Sequence, residues 1–352
     1  VSRYLITGGL GVIGSCVARR LLERGHEVEI IDACESGRNK WTRKQLATDN
    51  VWGGRIETFE RESDDLYSHY HLDADGHIRH LNQIRPNRTI AELISDVDYV
   101  IHAAASTGIP YSVTNPDEDW RSNVDATKVL LDAVRKNPVP TVVLSSIKPY
   151  WVPPRASMRG GLDEHALLDP DEPYAASKAA QSMLSLAYAK SYGLPVTVLR
   201  CSNLVGPGAC HGPRHGWATW FAISAAIGRP IEVQGSGEQA RDLLHADDVL
   251  TAALSCFAYP DQAVGQVFNI GGGLENVVSV NEVANFLHEL TGVEIRRAPA
   301  RAMDDDLVYV NYQKIRRATG WSPAVKSMDA IREILAWAQE HRDELAKIYE
   351  GV

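Results

Sequence analysis

The chain has 352 residues and a formal net charge of -9, with 44% hydrophobic residues, enough for a large core in one compound domain or two lobes. That acidic balance leaves no basic stripe for nucleic-acid phosphates or anionic lipid, and no apolar run is long enough to span a bilayer. Five cysteines, Cys16, Cys34, Cys201, Cys210 and Cys256, are scattered without a C-x-x-C pair. They read as free thiols, and with a first strand too close to the N-terminus for a leader the expectation is a soluble cytoplasmic protein.

The apolar run Tyr4 to Ile6 enters Thr7-Gly8-Gly9-Leu10-Gly11-Val12-Ile13-Gly14, and a helical pattern leaves it. This is strand, glycine loop, helix. Gly9, Gly11 and Gly14 give G-x-G-x-x-G, and Gly8, Gly11 and Gly14 give G-x-x-G-x-x-G. Loop N–H groups and the positive end of the helix dipole together suit a dinucleotide pyrophosphate. Ile13, Val17, Leu21 and Leu22 keep the helical period, Gly25 fits the C′ position, and Val28-Glu29-Ile30-Ile31 reads as a strand ending on Asp32. A carboxylate there accepts from the adenosine ribose hydroxyls and repels a 2′-phosphate, which favours NAD over NADP.

A polar, aperiodic stretch follows. Within it, His69 to His80 places two alternating runs around Asp75-Gly76, the pattern of a β-hairpin. His69 and His71 share a strand face, but without a cysteine or second-shell partner they are read as hairpin residues and no metal is expected. Residues 89–94 read as a short helix and 97–101 as a buried strand, whose end at His102-Ala103-Ala104-Ala105-Ser106 is small enough for a cofactor to approach. Residues 119–134 form a long amphipathic helix with Trp120, Val124, Thr127, Leu131 and Val134 on one side and Asn123 near its start. Thr141 to Leu144 is a fully apolar strand that delivers Ser145 and Ser146 at its carboxyl end, where open α/β sheets place their ligands.

A Pro- and Gly-rich loop over 149–173 ends at Tyr174-Ala175-Ala176-Ser177-Lys178, which opens a helix to about Ser191. Residues i and i+4 share a helix face, so Tyr174 and Lys178 point together, and a cation beside a phenol is expected to lower its pKa from about 10. With 13 tyrosines in the chain, the Tyr-x-x-x-Lys spacing gains its specificity from the strand ending at Ser146.

Thr7 to Gly14, Asp32, His102 to Ser106, Asn123, Ser146, Tyr174 and Lys178 together resemble the extended short-chain dehydrogenase/reductases, in particular the nucleotide-sugar epimerases and dehydratases. Arg200 to Gly208 resembles that family's Asn-x-x-Gly-Pro segment, Gly235 to Asp248 its Gly-x-Gly-x-x-x-Arg-Asp segment, and Gly320-Trp321-Ser322-Pro323 its closing Gly-Trp-x-Pro. The resemblance implies a Rossmann-type doubly wound parallel sheet in an α/β fold with a smaller C-terminal α/β substrate-binding lobe. Residues 1–200 would bind NAD, with an insertion within about 39–77. Residues 201–352 would form mainly the lobe, with about 240–273 returning to the first domain. It further implies NAD contacts from Gly8, Gly11, Val12, Ile13, Gly14, Asp32, Ile84, Ala103, Ala104, Asn123, Tyr174 and Lys178. The nucleotide diphosphate would be held by Asn203, Arg241 and Arg301; the cationic segment with His211 and Arg214 is a departure from the family, and its charge beside the expected sugar end suits an acidic or phosphorylated part of the substrate. A homodimer built on the helices at 119–134 and 177–191 is also implied.

The departures carry information. Gln83 falls where an adenine-binding Asp is usual, Asn311 where an Asp is common, and Trp151 where a Gly is frequent. Ile147 and Lys148 stand where dehydratases of dTDP-sugars present Asp-Glu and where glucuronate decarboxylases tend to place Glu at the second position. The leading reading is an NAD-dependent nucleotide-sugar epimerase working through a transient 4-keto sugar, with Tyr174, Ser146 and Lys178 as catalytic residues. A second uses the ketone to acidify a neighbouring C–H, leading to dehydration, decarboxylation or 3,5-epimerisation, with Lys148 as acid/base. A third, from another class, is an NAD-binding regulatory protein without turnover, against which the intact Ser146, Tyr174, Lys178 set argues. Lys148 as a base requires burial or a neighbouring cation, such as Lys178 or His211, to lower its pKa; otherwise it is a solvated or substrate-binding lysine.

Overall fold

Strands that are apolar on both faces require cover on both, and the order of elements supplies it. The computed structural model describes residues 1–32, 57–60, 68–72, 78–80, 90–208, 216–300 and 305–350. Strand β1 (Arg3–Thr7) leads through the glycine loop into helix α1 (Val12–Glu23), which ends before Gly25 at φ +78° and returns as β2 (Glu27–Ile31). Then β3 (Glu57–Glu60), β4 (Ser68–Leu72) and β5 (Ile78–His80) pair antiparallel as a separate sheet. The β4–β5 pair is the expected hairpin, with Leu72 opposite Ile78; its turn and histidine side chains lie outside the described residues. Strand β3 is not legible beforehand, because Glu-Thr-Phe-Glu carries a single apolar residue.

Helix α2 (Ile90–Ser95) precedes β6 (Tyr99–His102), after which come α3 (Ile109–Thr114), α4 (Pro116–Trp120), a π turn over Arg121–Asp125 and α5 (Ala126–Lys136). The π turn corrects the expected uninterrupted helical stripe. Val124, Thr127, Leu131 and Val134 are buried, but Trp120 is 51% exposed, because the extra residue in the turn rotates everything before it out of register. Strand β7 (Thr141–Ser146), helix α6 (Pro173–Tyr192) and strand β8 (Val196–Cys201) follow. Pro173 at the first turn and Gly193 at φ +65° bound α6, as fixed φ at one end and glycine at the other should.

The remaining chain gives β9 (Asn203–Val205), α7 (Trp217–Ile227), β10 (Ile231–Gln234), β11 (Ala240–His245), α8 (Ala246–Ala258), β12 (Val267–Ile270) and β13 (Val277–Ser279). It closes with α9 (Val280–Thr291), β14 (Ile295–Ala298), β15 (Leu307–Val308), α10 (Ser327–Glu340) and α11 (Arg342–Ile348).

The main sheet has six strands in the order β12-β8-β7-β6-β1-β2, every neighbour parallel. Alternate side chains divide between its faces. Ile6, Val142 and Leu199 pack with α1 and α8, while Leu5, Val143 and Val198 pack with α5 and α6. The order in which strands are added reverses between β1 and β6, where Thr7 lies opposite His102. Open α/β sheets bind ligands at such a point, beyond the carboxyl ends of the strands. Beyond this sheet, β11 pairs with β9, β13 and β15, β10 runs parallel to β14, and α7, α9, α10 and α11 enclose a second core around Phe221, Leu287 and Ile334. This is the α/β architecture with a smaller C-terminal lobe.

Candidate active site

The glycine loop is shaped by what surrounds it. A Cβ on Gly8, whose φ is +69°, would lie 2.6 Å from the Ala104 backbone; one on Gly9 would strike Ile30, and one on Gly14 would strike the Gly8 carbonyl. Those three glycines let β1, β6 and α1 close together. Gly11 differs, since a Cβ there would meet only the Gly8 oxygen at 3.2 Å. Its missing side chain leaves open space at the start of α1, where Val12, Ile13 and Gly14 present N–H groups without intrahelical acceptors. An open, donor-lined cradle at a helix N-terminus fits a pyrophosphate. Asp32, buried at the end of β2, accepts from Leu10 N at 2.9 Å, so the residue expected at the ribose also fixes the loop.

Behind the cradle a buried chain of hydrogen bonds links β1 to α6. The Thr127 hydroxyl donates to the Asn123 carbonyl at 2.7 Å and accepts from Gln181 Nε2 at 2.9 Å. His102 Nε2, 2.8 Å from that hydroxyl, must therefore donate, and Nδ1 accepts from Thr7 Oγ1 at 2.6 Å. Burial, and then the charge of Lys178, push the imidazole down to about 3. A neutral ring is what this network needs. Asn123 is fully engaged with protein: its oxygen accepts from Ser106 N, and its amide donates to Ser106 O and Ser177 Oγ. It joins the segment after β6 to α6 and so positions the site from behind, at the place where the π turn brings its side chain inward.

The end of β7 and the first turns of α6 bring Ser146, Tyr174 and Lys178 together. Ser146 accepts from Lys148 N at 3.1 Å, and its hydroxyl acts on the Tyr174 phenol, opposing the rise that burial gives it. Ser145, on the opposite face, donates to the Lys178 carbonyl and accepts from Ser182, pinning α6 to the strand. Glu172, which the sequence reading missed, caps α6 by accepting from Tyr174 N at 2.8 Å and Ala175 N at 3.0 Å, and lies 3.4 Å from the Ser112 hydroxyl. A carboxylate directly before a proline and a helical run was the available signal. Burial pushes this carboxyl up, against the pull of the backbone donors.

The electrostatics correct the expectation for the Tyr174–Lys178 pair. Burial pushes the phenol up to about 12, with Ser146 opposing, and pushes the buried Lys178 down to about 8. Lysine does not tune the phenol directly in the protein alone, because its ammonium donates to the Leu144 carbonyl at 3.1 Å. Desolvation outweighs the shared helix face.

Lys148 also departs from expectation. Its Nζ lies 3.8 Å from Asp305 Oδ2, and Glu172 feels its charge. These neighbours are acids, opposite in sign to the cation that a neutral lysine base requires.

On the lobe side, Asn203 Nδ2 donates to the Asp242 carbonyl at 3.3 Å, and Arg241 Nη1 to the Ala240 carbonyl at 2.8 Å. The two residues stand on paired strands, with Asn203 opposite Leu243. Asp242 is wholly buried, accepts from Gly273 N and Val310 N, and is pushed up by burial to about 7. It holds the glycine run at 271–273 in place. Ile84, Gln83, His211, Arg214 and Arg301 lie outside the described residues.

A family profile described as the NAD dependent epimerase/dehydratase family matches residues 4–271, most of the chain and every described site element up to β12. The chain belongs to the NAD-dependent epimerase/dehydratase family. It is 29% identical to the CDP-paratose 2-epimerase of Salmonella typhi over 95% of this chain and 98% of that one. Among solved structures it superposes on the UDP-glucose 4-epimerase of Thermotoga maritima, solved with UDP-glucose, with a TM-score of 0.76 and 25% identity, covering 96% and 99% of the two chains. It superposes equally on the dTDP-glucose 4,6-dehydratase DesIV of Streptomyces venezuelae, solved with NAD, with a TM-score of 0.79 and 25% identity over 98% and 99%. Members of this family are nucleotide-sugar enzymes, and NAD is the cofactor; the open, donor-lined start of α1 is chemically suited to its pyrophosphate. Among the described residues no helix is long and apolar enough to cross a membrane.

Proposed function

We propose that this protein is a nucleotide-sugar epimerase that oxidises one ring carbinol to a ketone and reduces it again from the other face. The observation that carries this reading is the placement of Ser146 at the end of β7 beside Tyr174 and buried Lys178 in the first turns of α6, combined with acids rather than a cation around Lys148. NAD, when bound, would supply reversible hydride acceptance. Tyr174 takes the hydroxyl proton and later returns it, Ser146 holds the same oxygen, and Lys178 binds the nicotinamide ribose with the donors that Leu144 leaves over. In the protein alone the phenol is neutral near pH 7, so its proton leaves only when positive charge is close by. Asp32 accepts from the adenosine ribose, Ile84 belongs to the cofactor-binding set, and Ala103 and Ala104 make room for the dinucleotide. Asn203, Arg241 and Arg301 hold the diphosphate, and His211 and Arg214 reach the sugar end.

The similarity to a 2-epimerase, a 4-epimerase and a dehydratase leaves the ring position to experiment, with C4 as the position we propose. Incubation with UDP-, dTDP-, GDP- and CDP-sugars in deuterium oxide, read by NMR and mass, tests it. Simple epimerisation gives an inverted carbinol and no carbon-bound deuterium. Deuterium at a neighbouring carbon that is lost in Lys148→Ala would instead establish the second reading, in which Lys148 moves a proton beside the ketone. No bound NAD and no changed sugar would leave a regulatory role.

We also propose a homodimer through the helical segments 119–134 and 177–191, on which Trp120 and Met183 are exposed apolar side chains. A monomer at micromolar concentration in sedimentation would remove it.

A further inference from the structure

Asp119, near the end of α4, is 1% exposed, and neither of its carboxylate oxygens has a hydrogen-bond partner. A buried carboxylate without donors is costly, and a chain that retains one needs a compensating charge nearby. Helix α4 packs against α6; Tyr174 feels the charge of Glu172 and, more weakly, of Asp119, while Asp119 is the one carboxyl among the causes that act on Lys178. Lys178 is equally buried, and its ammonium donates to a neutral carbonyl rather than to an acid. A carboxyl and an ammonium thus lie on packed helices in one buried region without forming a direct pair. A direct pair would satisfy both; held apart, each acts on whatever else enters the region.

We propose that Asp119 is the counter-charge of the redox centre, a positioning residue that favours the oxidised, cationic nicotinamide over the reduced, neutral one. The inference rests on the proposed placement of the nicotinamide beside Tyr174 and Lys178. Its functional sense follows from the reaction. An epimerase has no net oxidation, so the hydride must go back to the sugar, and a buried anion that stabilises the oxidised cofactor favours that return. Without it, Lys178 would leave the region positively charged and hold the reduced form.

The test uses full-length protein equilibrated with mixtures of NAD and NADH, with bound NADH read by its fluorescence, to give the ratio of the two affinities. Neutralising one unit charge across a protein interior is expected to move the ratio toward NADH by about tenfold in Asp119→Asn, equivalent to about 30 mV for a two-electron couple. Asp119→Leu, which removes the charge and tolerates burial, should shift it the same way, and Asp119→Glu should keep it near wild type. A purely structural role would weaken both nucleotides together. Wild-type binding with an unchanged ratio in whichever neutral variant folds overturns the proposal, as does a shift in Asp119→Glu equal to that of the neutral variants. Wild-type protein that binds neither nucleotide overturns the cofactor placement as well.

Discussion

The loop after β1 and the first turns of α6 both present polar groups at the carboxyl end of the sheet, and they are built by opposite means. In the loop the determinant is steric. Gly8, Gly9 and Gly14 have no room for a Cβ because β6, β2 and the loop itself press on them, while Gly11 has room that only a ligand would fill. At α6 the determinant is desolvation. Tyr174 and Lys178 share a helix face, yet burial drives their proton affinities toward the two neutral forms, the phenol up and the ammonium down. A steric site can be read from neighbouring letters of the sequence, whereas an electrostatic one depends on everything packed above it.

The largest effect should come from the electrostatic side. Tyr174→Phe removes the acid/base and one hydroxyl, with a loss of about 10³-fold or more in turnover, while NAD remains bound through the distant loop. Retention of near wild-type turnover would mean that the proton moves elsewhere. On the steric side, two alanines separate fold from ligand. Gly14→Ala drives a methyl into the Gly8 carbonyl and should cost roughly 2–3 kcal/mol of stability together with NAD affinity. Gly11→Ala should change the denaturation midpoint little yet weaken NAD severely, because its methyl occupies the pyrophosphate space. Equal losses of stability in both variants would show that Gly11, too, is a packing residue.

Much of this was legible beforehand. The strand, glycine loop and helix, Asp32 after β2, the hairpin, and the approach of Ser146 to Tyr174 all follow from spacing, because each is set within one or two adjoining elements. Three features were not. The π turn at Arg121–Asp125 has no periodic signature, so Trp120 was placed on one side with Val124, Thr127, Leu131 and Val134, whereas those four are buried and Trp120 is exposed. Asn123 looks like a cofactor ligand by position, but its amide is committed to Ser106 and Ser177, partners 17 and 54 residues away. The acids beside Lys148 come from 305 and 172, and no local pattern brings them there. Each miss lies where distant segments meet.

The smallest predicted effect tests the electrostatic account through stability rather than catalysis. Lys178 is 2% exposed and its pKa falls from 10.5 to about 8 on folding. Below pH 8 both folded and unfolded chains carry the proton, and the folded state bears the full cost of the buried ammonium. Between pH 8 and 10.5 the unfolded chain binds more protons than the folded one, so stability rises with pH until the cost has gone. A shift of that size corresponds to roughly 3 kcal/mol, reduced on substitution by loss of the Leu144 hydrogen bond. Lys178→Met should therefore abolish turnover while stabilising the cofactor-free fold by roughly 1–3 kcal/mol at pH 7, the trade expected where function holds a strained group in place. Urea titrations of both proteins at pH 7 and pH 10, after removal of the cofactor so that its binding does not contribute, should show the gap narrowing at the higher pH. A gap that is absent at pH 7, or that widens toward pH 10, would mean that Lys178 is already paired in the folded protein and that the contrast with the glycine loop is drawn in the wrong place.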